Sequence, residues 1–192
     1  KLVMEKINAC EPTLAQWRQL GSGLAHLHEV KQTRYGLGED NFIGLNPQRN
    51  TWSDSWGRFF LDYRLRVQVD WIQDSVINQE FDSVLKEKGE ALVEFLDMSC
   101  PGPSLLHGDL WHGNRLFDAT RVWLIDPAVY YGDSEADLAM TELFGGFNEE
   151  FYFSYEKLRP RSPDYQIKKA IYNLYHNLNH FNLFGEGYLG AC

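Results

Sequence analysis

The chain contains few cysteines and no long apolar runs. Its 192 residues include three cysteines, Cys10, Cys100 and Cys192, and no CxxC pair. An odd number of widely spaced thiols argues against a disulfide framework and favours free cysteines in a reducing, cytoplasmic compartment. No apolar run approaches the ~20 residues of a membrane span, so the sequence predicts no membrane partner.

Basic residues are also in deficit. The 18 Lys and Arg face 27 Asp and Glu, which gives a formal net charge of −9. Because an acidic surface repels phosphate backbones, nucleic acid binding is not expected. Hydrophobic residues make up 44% of the chain and aromatic residues 15%. That content is enough to bury a sizeable core and excludes disorder for most of the chain.

Helical periodicity dominates the sequence. Apolar residues spaced three and four apart predict a helix over residues 12–29. Similar patterns predict further helices over 51–70, 78–98, 134–143, 148–157 and 164–184. The helix over 51–70 is expected to be capped by Thr51 or Ser53. The turn-rich stretch 36–50 is predicted to be an ordered surface loop.

Short strands occupy the middle of the chain. Residues 105–107, 115–117 and 122–125 predict three strands, the last two joined as a hairpin by a turn at 118–120. Residues 1–7 are also predicted to form a strand. Because the chain starts inside that strand, we expect it to be part of a longer protein. The whole pattern predicts an α+β fold, a mostly helical body with a small β-hairpin.

Residues 107–114 carry the strongest chemical signal. Asp109 and Asn114 are separated by four residues, and Asp126 follows at the end of the next apolar strand. Phosphoryl transfer from a nucleotide uses such a set, because one carboxylate accepts the proton of the attacking hydroxyl while an amide and another carboxylate hold the metal. The Asp-x4-Asn spacing also occurs in the protein-kinase catalytic loop. A preceding apolar strand and a following hairpin that ends in Ile-Asp make the pattern more specific.

The same residues allow other interpretations. A metal-dependent hydrolase could use a cluster of His107, Asp109, His112 and Asp126, and would bind zinc or manganese without nucleotide. A non-enzymatic, pseudokinase-like binding module is a further alternative if the wall above the nucleotide cleft is missing. His176 and His180 have metal-ligand spacing on one helix, but without a HExxH glutamate they are interpreted as packing or surface residues.

These motifs resemble the fructosamine kinase (ketosamine-3-kinase) family, which belongs with aminoglycoside phosphotransferases and choline kinases. The resemblance rests on Leu-Leu-His-Gly-Asp-Leu-Trp-His-Gly-Asn at 105–114 and on Ile-Asp-Pro-Ala at 125–128. Further matches at 41–44, 50–52, 137–147 and 179–185 extend it over almost the whole chain.

The resemblance implies a protein-kinase-like fold. Residues 1–8 would end an N-terminal lobe strand and form the hinge, and residues 9–192 would form the helical C-terminal lobe. The rest of the N-terminal β lobe, with its glycine-rich loop and phosphate-binding lysine, would be absent from this chain. The chain alone would then be inactive.

The implied activity is transfer of the γ-phosphoryl group of ATP, with Mg²⁺, to a sugar hydroxyl of a ketoamine. The substrate would be a fructosamine or ribulosamine on lysine or on a protein, and the reaction would serve deglycation repair. Another small-molecule phosphotransferase activity, of the aminoglycoside or choline type, is the alternative.

The resemblance also assigns residue roles. Asp109 would be the catalytic base, and Asn114 and Asp126 would bind Mg²⁺. The adenine hinge would consist of Met4, Glu5, Lys6 and Ile7. Substrate contacts would come from Trp111 and from His112, which stands where the family is expected to have a small residue.

Two further residues are expected to support the catalytic segment. His107 ends a buried strand, a position from which a histidine usually holds the loop beneath it. Asp137 would anchor the segment through hydrogen bonds to its backbone.

Overall fold

The computed structural model describes residues 5–192. The strand predicted over residues 1–7 therefore lies mostly outside the described residues, and Glu5, Lys6 and Ile7 are irregular. No described helix is long and apolar enough to cross a membrane.

Helices account for most of the described chain. Their bounds are α1 Leu14–Leu27, α2 Trp56–Phe60, α3 Arg66–Asp70, α4 Ser75–Ser99, α5 Glu135–Leu143, α6 Glu149–Glu156 and α7 Tyr165–Phe184. A π-helical segment, Leu61–Leu65, joins α2 to α3, and short 3-10 turns cover His112–Asn114 and Glu186–Ala191. Five of the six predicted helices are present with small shifts at their ends, whereas the helix predicted over 51–70 begins only at Trp56 and is divided by the π-helical segment.

The strands are three residues long and form antiparallel two-stranded sheets. Strand β1 (Asn41–Ile43) pairs with β2 (Asn46–Gln48), β3 (Ser104–Leu106) with β6 (Tyr130–Gly132), and β4 (Arg115–Phe117) with β5 (Val122–Leu124). The β4–β5 hairpin confirms the sequence prediction. The prediction of a loop over 36–50 is wrong in part, because β1 and β2 form a hairpin there.

The cap predicted for the second helix is also wrong. Ser55, and not Thr51 or Ser53, caps α2, because its side chain accepts a hydrogen bond from the Arg58 amide at 2.9 Å. Ser53 lies before the first turn, and its hydroxyl instead donates to the Ser55 carbonyl at 2.8 Å and accepts from the Ser55 amide at 3.2 Å.

Two apolar clusters form the core. The larger one centres on Trp56, which packs among Phe59, Phe60, Tyr130 and Tyr172. The smaller one lies where α1 packs against α6 and includes Trp17, Phe117 and Phe151. Aromatic side chains bury a large apolar area each, so these clusters supply most of the driving force for folding. Strand β3 and the β4–β5 hairpin are fixed on these clusters, and the segment between them carries the site.

Candidate active site

The catalytic segment, residues 107–114, connects β3 to β4 and turns sharply at its start. Gly108 adopts a φ of +82°, and a Cβ built there would lie 2.0 Å from the carbonyl oxygen of Ala128. The His107 carbonyl accepts a hydrogen bond from the Ala128 amide at 2.8 Å. Glycine is therefore required by both backbone conformation and space.

We expect Gly108→Ala in the complete protein to lower the free energy of unfolding. The left-handed backbone alone costs about 1–3 kcal/mol for a residue with a Cβ, and the contact with Ala128 adds to that cost. Urea unfolding measures the change. The matched control is Gly38→Ala, since nothing lies within 4 Å of a Cβ at that glycine. Equal stability of the two variants would contradict the proposed constraint.

Asp137, in the first turn of α5, holds this bend from below. Its carboxylate accepts hydrogen bonds from the His107 amide at 2.7 Å and the Gly108 amide at 2.9 Å. The Nε2 atom of His28 lies 3.1 Å from the same carboxylate, and Tyr155 Oη lies 2.8 Å from His28 Nδ1. Asp137 and His28 are both fully buried. Burial alone would raise the pKa of Asp137, but the hydrogen bond and charge of His28 hold it below its ordinary value.

His107 supports the segment as a neutral imidazole. Its Nδ1 accepts a hydrogen bond from the Asp109 amide at 3.3 Å, so its Nε2 carries the proton and donates to the Ile125 carbonyl at 3.0 Å. Burial lowers the pKa of His107. Both ring nitrogens are engaged, which leaves none for a metal.

Asp109 and Asn114 are joined by hydrogen bonds within the segment. The Asn114 Nδ2 atom donates to the Asp109 carbonyl at 2.8 Å and to its Oδ2 at 3.1 Å. Burial raises the pKa of Asp109 to about 6. The hydrogen bond from Asn114 lowers this pKa, whereas the nearby carboxylates of Asp137 and Asp126 raise it further. A carboxylate with this pKa can accept a proton near neutral pH.

Asp126 follows β5 in an unusual conformation. Its φ of 49° is the single positive value among non-glycine residues in the described range. Two side chains of the β1–β2 hairpin contact the backbone that follows Asp126. The Asn41 side-chain amide donates to the Val129 carbonyl at 2.8 Å, and the Gln48 side-chain amide donates to the Ala128 carbonyl at 3.0 Å. Aspartate is one of the few non-glycine residues that adopt the left-handed region readily, and these hydrogen bonds fix the backbone that follows it.

A cleft of about 550 Å³ opens in front of these groups. Asp109, Asn114 and Asp126 line one side. The β1–β2 hairpin and the C-terminal end of α7 also line the cleft, through Phe42, Ile43, Gly44, Leu45, Asn179, His180, Leu183 and Phe184. The structure thus brings the three predicted catalytic and metal residues into one cavity.

The oxygen atoms on this wall fit magnesium. Both hydrogen bonds that the Asn114 side chain makes to residues 5–192 run through Nδ2, so its Oδ1 has no partner within that range and can face a ligand. Asp126 is exposed to solvent. Mg²⁺ is commonly held by one or two protein oxygen ligands together with substrate phosphates.

The metal-hydrolase interpretation is wrong for the described part of the chain. Within it, no group of three or more His, Cys, Asp or Glu side chains is close enough to hold a metal ion. His107 is committed to the backbone, and His112 is exposed and lines no part of the cleft. A cluster that includes both histidines therefore does not form.

Trp111 and His112 occupy different positions. The Trp111 ring lies over Gly113, where a Cβ would come within 2.5 Å of it, and it lines the cleft. Its ring centroid is 6.1 Å from that of Phe144, and the Phe144 ring in turn lies 5.0 Å from the His180 ring in a tilted arrangement. This aromatic wall places Trp111 where a substrate could contact it. His112 meets the edge of Trp111 from outside the cleft.

Three residues at or beneath the site are given no site role by the sequence. His28 lies just after α1 and reaches the segment through Asp137, while Asn179 and His180 enter the cleft from α7. Asn179 is nonetheless part of a family-like stretch at 179–185, which is the signal that could have found it.

The predicted hinge is described only in part. Glu5, Lys6 and Ile7 border a shallow pocket with Trp123 and the turn between β4 and β5. Met4 lies outside the described residues. The adenine-binding role of all four remains a prediction.

Comparisons with known proteins identify the relatives of the chain. A protein of Synechocystis sp. assigned as a ketoamine kinase is 44% identical over 189 residues, which cover 97% of this chain and 63% of the relative. A protein-ribulosamine 3-kinase, chloroplastic, of Arabidopsis thaliana is 42% identical over 181 residues, covering 91% of this chain and 54% of the relative. The chain thus spans about 54–63% of these two proteins.

A solved structure agrees with these relatives. The crystal structure of a protein of Thermobifida fusca assigned as a fructosamine-3-kinase superposes with a TM-score of 0.85 at 27% identity, covering 97% of this chain and 65% of that one. The sequence model described as "Fructosamine kinase" matches residues 2–192. The chain therefore belongs to the fructosamine kinase family.

Proposed function

We propose that the complete protein is a kinase that transfers the γ-phosphoryl group of ATP to a sugar hydroxyl of a ketoamine, a fructosamine or ribulosamine on lysine or protein. The observation that carries this proposal is one cleft wall that holds Asp109, Asn114 and Asp126 together. Membership of the family supports the substrate class, as do relatives named for ketoamine and ribulosamine kinase activity.

The chain itself would supply the helical lobe of a protein-kinase-like fold. In the longer relatives, a third or more of the protein lies outside the matched region. We propose that a β-rich lobe with a glycine-rich loop and a phosphate-binding lysine closes the nucleotide cleft, with Met4, Glu5, Lys6 and Ile7 as its hinge. The nucleotide and magnesium would neutralise the charge of the transferred phosphoryl group.

The residues of this chain would then act as follows. Asp109 accepts the proton of the substrate hydroxyl, and Asn114 keeps that carboxylate oriented through its 3.1 Å hydrogen bond. Asp126 and the Oδ1 atom of Asn114 hold the metal. Trp111 packs against the sugar or its amine-bearing chain. His107 and Asp137 fix the backbone of the segment, so the reacting groups keep their separation.

The three cysteines agree with a reducing compartment. Cys10, Cys100 and Cys192 are all free thiols in the structure. We therefore propose that the protein acts in the cytoplasm, while its plant relative is named as chloroplastic.

The pH dependence of kcat/KM should show the raised pKa of Asp109. A base must be ionised, and a raised pKa keeps the carboxyl protonated up to a higher pH. We therefore expect kcat/KM of the complete protein to fall as the pH drops through about 6, because this parameter reports groups of the free enzyme. A steady-state pH profile measures it. Full activity down to pH values well below 6 would exclude Asp109 as the base.

An acceptor panel tests the substrate class. The complete protein, ATP and magnesium are incubated in turn with fructosyl-lysine, ribulosyl-lysine, choline and an aminoglycoside, and phosphorylated product is measured by mass spectrometry. We expect product from the two ketoamines only. Product from choline or the aminoglycoside alone would support the alternative phosphotransferase and overturn the ketoamine proposal.

A further inference from the structure

A second cavity of about 340 Å³ lies apart from the catalytic cleft and shares none of its lining residues. The end of α4, the start of α5 and the connection from α6 to α7 meet around it. Its polar lining residues include Ser99, Ser134, Glu135, Arg159, Ser162 and Lys168. The proposed phosphoryl transfer uses none of them.

Arg159 is the charged group of this cavity that lacks a counterion. Its Nη2 atom donates to the Ser134 hydroxyl at 3.3 Å, and no ion pair joins it to a carboxylate of residues 5–192. Its buried Nε atom has no hydrogen-bond acceptor among the same residues. A buried donor without an acceptor costs free energy, and for a charged group that cost is larger.

The neighbouring carboxylates are already committed. Lys168 donates to Asp133 and Glu135 at 2.6 Å each, and to the Ser99 carbonyl at 3.2 Å. Glu135 also accepts from the Ser162 amide at 2.6 Å and from its hydroxyl at 2.7 Å. This cluster keeps a formal charge of −1, with one lysine against two carboxylates, but neither carboxylate lies within ion-pair distance of Arg159.

A second cation adds to the imbalance. Lys31 donates to Ser104 at 2.7 Å and forms no ion pair within the described part of the chain. Burial, and after it the positive charge of Arg159, lower the pKa of Lys31. Lys31, Arg159 and Lys168 together face the two carboxylates of Asp133 and Glu135, so the cavity and its surroundings carry a formal excess of one positive charge.

We propose that this cavity binds a small oxyanion with a phosphate group, held by Arg159 and by the hydroxyls of Ser99 and Ser134. The buried Ser99 hydroxyl has no partner among residues 5–192, and the Ser134 hydroxyl keeps its proton to donate while it accepts from Arg159. These donors come from three different elements. A phosphate group presents at least three acceptor oxygens and pairs with guanidinium in a forked geometry, which suits this arrangement better than a carboxylate does.

Calorimetric titration of inorganic phosphate into the complete protein tests the site. Ionic strength is held constant, and the nucleotide cleft is filled beforehand with magnesium and a non-hydrolysable ATP analogue. We expect one molecule of phosphate to bind in the millimolar range, and Arg159→Gln to weaken it by about tenfold or more, because a charge-assisted hydrogen bond is lost. The matched control is Arg34→Gln, since Arg34 is exposed, paired with Asp54 and outside the cavity.

Two further titrations identify the preferred ligand and provide a replacement variant. Tighter binding of hexose 6-phosphate than of phosphate would identify a phosphate monoester as the preferred source, and equal or weaker binding would identify the free ion. If Arg159→Gln does not fold, Ser99→Ala replaces it, and we expect a weaker loss of affinity. Absence of phosphate binding, or equal affinity of the cavity variant and Arg34→Gln, would overturn the proposal.

Discussion

Asp109→Asn in the complete protein is expected to lower kcat by about 10²–10⁴-fold, the usual contribution of a general base. The amide has the same shape as the carboxylate, and its oxygen can still accept the hydrogen bond from Asn114. What it loses is the ability to take a proton from the substrate hydroxyl. The affinity for magnesium nucleotide should change little, because the proposed metal ligands are Asp126 and Asn114 and not Asp109.

Two measurements separate these effects. Single-turnover phosphate transfer gives the rate of the chemical step, and titration with a fluorescent ATP analogue gives nucleotide affinity. Asp70→Asn is the matched control, since Asp70 is an exposed aspartate at the end of α3, away from the cleft. If Asp109→Asn kept most of the transfer rate, Asp109 would not be the base.

Asp137→Ala is expected to destabilise the protein strongly. The carboxylate is 1% exposed, and its removal leaves two backbone amides and the His28 ring without their acceptor. Breaking a buried charged pair by removing one partner typically costs about 3–5 kcal/mol. Loss of the Asp137 carboxylate should also loosen the bend at Gly108. We therefore expect kcat to be lower even for the molecules of the variant that remain folded.

The pH dependence of stability gives a second check on Asp137. Its folded-state pKa is depressed below the unfolded value. The stability that the carboxylate contributes is therefore present above the unfolded pKa and is lost as the pH falls through the folded pKa. Urea unfolding of the unaltered protein and of Asp137→Ala across acidic pH should show a difference that shrinks toward low pH. A constant difference would contradict the role of the ionised carboxylate.

The sequence predicted the helices well because their apolar stripes are long. The stripe of α1, for example, includes the buried residues Trp17, Leu20 and Leu24. The three-residue strands are harder to predict, because three residues are too few to show the alternation of apolar and polar side chains that indicates a strand. Strand β6 pairs with β3 although their central residues, Leu105 and Tyr131, lie 26 positions apart in sequence, and that contact depends on the surrounding core rather than on local signals.

The site was predictable where its chemistry is local in sequence. Asp109 and Asn114 lie in one short segment, and the β4–β5 hairpin, which the sequence predicted, returns the chain so that Asp126 lies beside them. His28 was missed because a histidine at the end of a helix is usually unremarkable, and only packing brings it to Asp137. His180 was interpreted as a packing or surface residue, yet it lines the cleft. Its neighbour His176 is buried, and burial lowers its pKa to about 3.

Phosphorylation of fructosyl-lysine by the complete protein, followed by ³¹P NMR, tests most directly whether Asp109, Asn114 and Asp126 form the active site of a ketoamine kinase. We expect a phosphate-ester signal to grow with ADP in equal amount, and to need magnesium. The signal should be lost in Asp126→Ala, strongly reduced in Asp109→Asn and retained in Asp70→Asn. A phosphate ester formed at the normal rate by Asp109→Asn or Asp126→Ala, or no ester from the unaltered protein, would contradict this assignment.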